Sequence, residues 1–424
     1  MRILLLTHYF APEQGAPQRR WAALIREFQD AGHEVEVFAP PPHHPSGKRP
    51  AEYGRTLKAG RKMRDESGAL VHRVAWLCHR GDIVTRTLDH LVSSLASYRA
   101  ASRRIRQRNG FVPDVIIATA PAVPTLIAGR MLGRRFGIPL VVEMRDAWPD
   151  LVTYTPGLVS GSGPVAWIKR RVHAAVTALQ RSGATVVVTT ESFAEVLRER
   201  GIREVHVIRN GTNPDQFELV PARGDDHREL RVLYMGTIGR SQGLELVVRA
   251  VAELKRLGVP IHARIVGAGY ERRALMRLND ELGFPVEFLS TVPPNEVLEH
   301  YTWADSTIVS LRDWEPFAWT IPSKLYELLS SGRHITGILR GESAEILREA
   351  RAGHVVAPGS AEELVDLWRA LSLDRSRLAI TEHGRHWARE QVAYSSLAEH
   401  YLRVLRQVVS EGPPPRRSFV SRRA

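Results

Sequence analysis

Ile3-Leu4-Leu5-Leu6-Thr7-His8-Tyr9-Phe10-Ala11-Pro12-Glu13-Gln14-Gly15-Ala16-Pro17 runs from a short apolar strand into a polar loop that holds a glycine. Beyond it, Trp21, Leu24, Ile25 and Phe28 recur at helical spacing, Gly32-His33 ends the helix, and Val35, Val37 and Phe38 begin a second apolar run. Strand, helix and strand in this order make one βαβ crossover, the unit of a parallel sheet.

The same pattern extends outward. Val115-Ile116-Ile117, Leu140-Val141-Val142 and Val186-Val187-Val188 are short apolar runs separated by helical stretches, as expected for strands covered on both faces. The first half therefore reads as a doubly wound α/β sheet. After the polar segment Pro221 to Glu229 the pattern restarts with Val232-Leu233-Tyr234, Ala263-Arg264-Ile265-Val266, Val286-Glu287-Phe288-Leu289 and Thr307-Ile308-Val309. We expect an N-terminal domain over 1–213 and a C-terminal domain over 214–390, connected around Asn210 to Pro221. A helix over 391–411, with Leu397, Tyr401, Val404, Leu405 and Val408 on one face, is expected to pack back on the first domain. The basic tail 412–424 has no such face and is expected to be disordered.

A chain of 424 residues with 43% hydrophobic and 25% charged residues exceeds one compact core and is not a disordered polypeptide. Cys78 is the single cysteine, which excludes an internal disulfide and a Cys-rich zinc site and fits a reducing compartment such as the cytoplasm. The run Ile3 to Leu6 stops too early for a signal peptide, and no apolar stretch is long enough to cross a bilayer. A net charge of +13 asks for an anionic partner: nucleic acid, an anionic membrane surface or phosphorylated small molecules. No zinc-finger spacing or aromatic-basic RNA motif favours nucleic acid.

Ligands of open α/β sheets bind at the carboxyl ends of the strands, so the loops there are the candidates. Gly15, before a helix N-terminus, can admit a ligand backbone or an anion, with Arg19 and Arg20 either reaching that anion or solvated. The loop is not G-x-G-x-x-G, which argues against a nicotinamide cofactor. Pro40-Pro41-Pro42-His43-His44-Pro45-Ser46-Gly47-Lys48 follows the second strand and reads as another edge loop. Glu143-Met144-Arg145-Asp146-Ala147-Trp148-Pro149-Asp150 is the densest polar and aromatic cluster after a buried strand. Glu143 and Asp146 can hold an acceptor hydroxyl or take its proton, unless Arg145 and a carboxylate simply close the loop.

Val207-Ile208-Arg209-Asn210-Gly211-Thr212-Asn213 with Phe217, then Tyr234-Met235-Gly236-Thr237-Ile238-Gly239-Arg240-Ser241-Gln242-Gly243-Leu244, Ile265-Val266-Gly267-Ala268-Gly269-Tyr270-Glu271 and Ile321-Pro322-Ser323-Lys324-Leu325-Tyr326-Glu327 form an ordered series. In that order they resemble the family 4 retaining glycosyltransferases of GT-B fold, over nearly the whole chain. The block at Glu143 and the Ile321-Pro322-Ser323-Lys324 segment look most like the bacterial surface-polysaccharide branch that includes L-fucosamine transferases.

The resemblance implies two Rossmann-like domains facing a central cleft, a nucleotide diphosphate sugar as donor substrate, and no separate cofactor. It implies that Glu327 binds the donor ribose, that Gly236, Gly239 and Ser323 lie against the diphosphate, and that Arg240 and Lys324 carry the charge on that leaving group. The acceptor would be a glycan or a lipid-linked glycan held by the first domain. Three departures stand out. The first glutamate of the family's Glu-x7-Glu motif falls at Trp319, with Glu315 four residues earlier; the usual Arg and Lys of the diphosphate loop fall at about Thr237 and Gln242; and the histidine after the fourth strand is replaced in Thr119-Ala120-Pro121. The sequence holds no clear Asp-x-Asp site, so a metal-independent hexosyltransferase is expected. A nucleotide-sugar 2-epimerase on the same fold and a basic membrane- or nucleic-acid-binding protein are the other readings. Basic helical stretches near Arg99 to Arg108 and Trp167 to Arg171 fit docking on anionic lipid or an ordinary solvated face.

Overall fold

The computed structural model describes residues 1–13, 15–44, 46–50, 53, 57–108, 110–153, 163–217, 220 and 228–412. The expected disordered tail lies, Gly412 apart, outside the described residues, as does most of the polar segment that begins at Pro221.

The chain divides into two compact units, residues 1–209 with the C-terminal segment from Leu397, and Asn210–Ser396. The first holds β1 (Arg2–Leu6), β2 (Glu34–Ala39), β3 (Lys62–Arg64), β4 (Leu70–Arg73), β5 (Val115–Thr119), β6 (Leu140–Met144), β7 (Thr185–Val188) and β8 (Val205–Val207). They form one sheet in the order β3-β4-β2-β1-β5-β6-β7-β8, parallel throughout except for the antiparallel β3 edge. Its central strands β5, β6 and β7 are buried at every position, which is why they appear in the sequence as unbroken apolar runs. The helices are α1 (Ala16–Asp30), α2 (Ile83–Arg106), α3 (Val123–Phe136), α4 (Asp150–Thr153), α5 (Pro164–Gln180) and α6 (Glu191–Glu199).

The second unit holds β9 (Leu230–Met235), β10 (Ile261–Val266), β11 (Val286–Leu289), β12 (Ser306–Ser310), β13 (His334–Ile338) and β14 (Gly353–Val356), all parallel, in the order β11-β10-β9-β12-β13-β14. Its helices are α7 (Glu245–Arg256), α8 (Arg272–Glu281), α9 (Val297–Trp303), α10 (Ser323–Ser331), α11 (Glu342–Glu349), α12 (Ala361–Leu373) and α13 (His383–Val392). Val247, Val248, Val251 and Leu254 of α7 and Leu364, Trp368 and Leu371 of α12 pack with the strands into one apolar core. Reversal of strand order beside β9 and β12 makes this a doubly wound sheet of Rossmann type.

The boundary falls at Arg209, a few residues before the expected 213, and the second unit runs to Ser396 rather than 390. The cause is local pairing: Thr212 N–H donates to Val392 O at 3.0 Å and Thr212 bridges Ala393, so the Asn-Gly turn belongs to the second unit. The last helix, α14, spans Tyr394–Glu411. Leu397, Tyr401, Val404, Leu405 and Val408 are all buried on its inner face, where Tyr401 meets Trp21 and Phe28 of α1.

The second core also buries a polar chain. His334 lies 2.8 Å from Ser306 Oγ and 2.7 Å from His354 Nδ1, while Trp368 Nε1 donates to Thr336 Oγ1 at 3.1 Å. Burial, aided by the neighbouring His354, pushes the His334 pKa down to about 3 from 6.5. The unfolded chain therefore binds the proton first as pH falls, and the stability tied to neutral His334 is complete above pH 6.5 and lost towards pH 3. Urea unfolding of the wild type is expected to weaken over this window, with a shallower pH slope in His334→Asn; identical slopes would contradict the assignment.

Candidate functional site

In the second unit the site begins where β9 and β10 end. Gly236 N–H donates to Val266 O at 3.0 Å, and Ile238 N–H donates to Ala268 O at 2.9 Å, so the two exit loops lie backbone against backbone. A Cβ on Gly267 would stand 2.0 Å from Gly236 O, and one on Gly269 would stand 2.2 Å from Ile238 O; both residues also have positive φ. Only glycine satisfies both demands.

Against this loop lies the start of α10. Lys324 Nζ is 2.8 Å from Glu327 Oε2 and donates to Tyr301 Oη at 3.3 Å, while Tyr301 Oη donates to Glu327 Oε1 at 3.2 Å. The Lys324 Cε lies 4.0 Å from the Cβ position of Gly236. Lys324 and Glu327 thus meet beside the Gly236 loop, both partly exposed, with Ser323 opening the helix. Gly239 N–H is held by Gln242 Oε1 at 3.1 Å, which folds the tip of the loop into a single turn. Arg240 extends from that turn into solvent, with its guanidinium 4.7 Å above the Tyr270 ring and Nε 3.2 Å from Glu271 Oε1. It belongs to the same loop as Gly236, but its partners are Tyr270 and Glu271 rather than Lys324 and Glu327. Glu315 is exposed on a short 3-10 turn, and Trp319 is half-buried.

In the first unit the structure separates the two carboxylates expected to act together. Glu143 is fully buried, and its Oε1 accepts from Arg20 Nε at 2.9 Å. Arg20, expected at an anion or in solvent, is itself fully buried and donates to the carbonyls of Ile208 and Arg209. The arginine that pairs with this carboxylate is therefore Arg20 of α1, not Arg145, and Glu143 is a structural anchor out of reach of an acceptor. Removing one member of such a buried pair costs about 3–5 kcal/mol, because the other is left charged and alone. Burial first, and then the Glu143 charge, hold the Tyr401 phenol well above its ordinary range. Asp150 is likewise buried, bonded by Arg200 at 2.7 and 2.9 Å. Asp146 alone of the three remains half-buried at the strand exit. Gly15 caps α1 in extended conformation, so its backbone faces no steric demand that requires glycine; a Cβ there would crowd only the flexible Gln18 amide.

Sequence reasoning passed over a group of imidazoles at the same sheet edge. His8, two residues beyond β1, and His43, in the proline loop after β2, both approach Asp89 Oδ2, at 3.1 and 2.9 Å. Glu13 ties the loops together by accepting from the backbone N–H of His43 (2.6 Å), the backbone N–H of His44 (2.8 Å) and the Gln18 amide (2.9 Å). Burial raises the Tyr9 pKa to about 12, with Arg86 opposing and the charges of Glu13, Asp89 and Asp146 reinforcing it, which puts Asp146 in electrostatic reach of this group. The available signal was positional: His8, His43-His44 and Asp89-His90 each lie just past a strand or on a neighbouring helix.

Residues 15–211 match the Glycosyl transferase 4-like domain family, and residues 229–374 match the Glycosyl transferases group 1 family. The chain is 26% identical over 318 residues to the putative colanic acid biosynthesis glycosyl transferase WcaI of Escherichia coli (strain K12), covering 69% of this chain and 74% of that protein. Sucrose-phosphate synthase from Thermosynechococcus elongatus superposes with a TM-score of 0.72 at 16% identity, over 97% of this chain and 99% of that one. HepE of Anabaena, solved in complex with UDP-glucose, gives a TM-score of 0.66 at 14% identity, over 96% of this chain and 100% of its own. Two Rossmann-type sheets, glycine-walled exit loops and two consecutive family matches lead to one assignment: the chain has the GT-B fold, with a glycosyl transferase 4-like domain followed by a glycosyl transferases group 1 domain.

Proposed function

We propose that the chain is a retaining hexosyltransferase that moves a sugar from a nucleotide diphosphate donor, a UDP-linked amino or deoxy sugar, to a glycan or lipid-linked glycan in surface polysaccharide synthesis. The observation that carries this reading is the meeting of Lys324 and Glu327 beside the Gly236 loop. A carboxylate suits paired ribose hydroxyls, and a cation beside a loop that no side chain blocks suits a diphosphate. Arg240, half a turn further along the loop and largely exposed, is free to swing from Glu271 onto the same anion.

The chemical step forms a bond from the acceptor oxygen to the anomeric carbon and breaks the bond from that carbon to the phosphate oxygen. The acceptor proton passes to the departing phosphate on the same face, which retains configuration. Lys324 and Arg240 stabilise the charge that grows on the diphosphate, without need of a metal there. Asp146, rather than Glu143, is the carboxylate that orients the acceptor hydroxyl. HepE, solved in complex with UDP-glucose, supports a UDP-linked donor, and the likeness to WcaI, named as a putative colanic acid biosynthesis glycosyl transferase, supports a polysaccharide acceptor.

A lipid-linked acceptor fits the outer helices of the first unit. Val84, Leu88, Leu91 and Leu95 form one exposed apolar line along α2; Ile127 and Met131 are exposed on α3; and Val165, Trp167, Ile168 and Val172 are exposed on α5. The three helices pack in sequence, α2 on α3 and α3 on α5. Neither α3 nor α5 contains a carboxylate, and the one in α2, Asp89, is buried. Apolar side chains among Arg134, Arg135, Lys169, Arg170 and Arg171 suit the cytoplasmic face of an anionic membrane. No helix among the described residues is long and apolar enough to cross a membrane.

Lys324→Met and Glu327→Gln are each expected to lower donor turnover about 10²–10³-fold and to abolish the thermal shift given by UDP, while GDP gives none in the wild type. Asp146→Asn is expected to lose turnover and keep the UDP shift. Unchanged donor affinity in both Lys324→Met and Glu327→Gln would remove the donor site. Turnover of donor without acceptor to an epimerised nucleotide sugar would replace the transferase reading. In liposome flotation the chain is expected to float with anionic but not neutral vesicles, reversibly in salt; no flotation with either ends the membrane proposal.

A further inference from the structure

We propose that His8, His43 and Asp89 form a zinc site that pins the exits of β1 and β2 to α2. The three ligand atoms, one from each residue, lie within 4.8 Å of one another, and all three residues are buried. Ligand atoms around a tetrahedral zinc ion with bonds of about 2.0–2.1 Å stand about 3.4 Å apart, close to the 3.1 and 2.9 Å found from His8 and His43 to Asp89 Oδ2.

The hydrogen bonds around the group fix which ring nitrogen of each imidazole turns towards Asp89. His43 Nδ1 lies 2.7 Å from Pro41 O, and a carbonyl only accepts, so Nδ1 carries a proton. Ser93 Oγ donates to Asp89 O at 2.7 Å, so at 3.0 Å it accepts from His8 Nδ1. Both imidazoles are thus anchored through Nδ1 and turn Nε2 inward, the arrangement in which a neighbouring acceptor orients a metal-bound histidine. Nε2 of His8 is buried and faces Asp89 Oδ2 at 3.1 Å without completing a well-aligned hydrogen bond. His43 Nε2 is hydrogen-bonded to Asp89 Oδ2 at 2.9 Å, and a zinc ion would displace the shared proton and take the lone pairs of both imidazoles and the carboxylate. A buried polar atom without a partner is costly, and an ion satisfies all three at once.

Asp89 is itself fixed, its Oδ1 accepting from Leu77 N–H at 2.9 Å. Glu13, bound to the N–H groups of His43 and His44, adds a second negative charge nearby that offsets the dipositive ion. Two imidazoles and one carboxylate favour zinc over magnesium or calcium, which prefer all-oxygen shells, and leave a position for water or a further ligand. The site lies wholly in the first unit, apart from the loops at Gly236 and Lys324. It stands or fails independently of how the donor diphosphate is held.

The test is a zinc titration of the full chain without a polyhistidine tag, after stripping with a chelator, read by competition with a chromophoric chelator and by thermal unfolding. The expected result is one tight equivalent that raises the unfolding midpoint. Ser93→Ala is expected to weaken it about 10–100-fold, and Asp89→Asn to abolish it. His386→Gln, at an exposed pair with Glu390 that also offers metal-ligand chemistry, is expected to retain it. The proposal is overturned by a wild type that takes up no zinc, by an equivalent that survives intact in Ser93→Ala and Asp89→Asn, or by one lost in His386→Gln. Should Asp89→Asn fail to fold, the wild type, Ser93→Ala and His386→Gln decide alone.

Discussion

The close approach of two backbone segments at Gly236–Ile238 and Gly267–Gly269 is the constraint from which the second unit takes its chemistry. Where a Cβ would stand 2.0 Å from a carbonyl oxygen, no side chain can intervene, and the exits of β9 and β10 are walled by peptide groups alone. The N–H groups of Gly236, Ile238, Gly239 and Gly267 are spent in holding this wall together, so it offers a polyanionic ligand a close approach without side chains, with the positive charge coming from Lys324 beside it. Lys324 and Glu327 meet each other beside that wall because α10 starts directly after Pro322, and one helical turn separates the two side chains on the same face.

The first unit uses its charges differently. Arg20 of α1 and Glu143 at the end of β6 neutralise each other in its interior, tying α1 to the sheet, while ring packing of Tyr401 on Trp21 and Phe28 ties the C-terminal helix to α1. The remaining polar groups at this sheet edge, His8, Tyr9, Glu13, His43 and Asp89, form a second buried network. Asp146 is left as the accessible carboxylate. The sequence block at Glu143 thus contains one anchor, one candidate reactive group and, at Asp150, a further anchor held by Arg200.

Much of the fold was legible because parallel strands buried on both faces write themselves as apolar runs. Val115 to Ile117, Leu140 to Val142 and Val186 to Val188 all fall within strands of the observed sheet, as does Ile3 to Leu6. The short edge strand β3 and its neighbour β4 were not legible, since Lys62–Arg64 carries two cations and no apolar run and β4 is only four residues long. In the site, Ser323, Lys324 and Glu327 were singled out by the resemblance to a family motif, and all three fall on one helix, α10. The role of Glu143 was not, because its partner lies 123 positions away and only the folded sheet brings them together. The His8, His43 and Asp89 group was hidden for the same reason: its members come from three elements, and none carries a local spacing that marks a ligand set.

Hydrogen–deuterium exchange with and without UDP tests most directly whether the glycine-walled loop of the second unit is the donor site. The account predicts slowed exchange at Gly236–Gly243 and at the first turn of α10, with the imidazole group of the first unit unaffected. Protection confined to the first unit, or none at the Gly236 loop under saturating nucleotide, would contradict it.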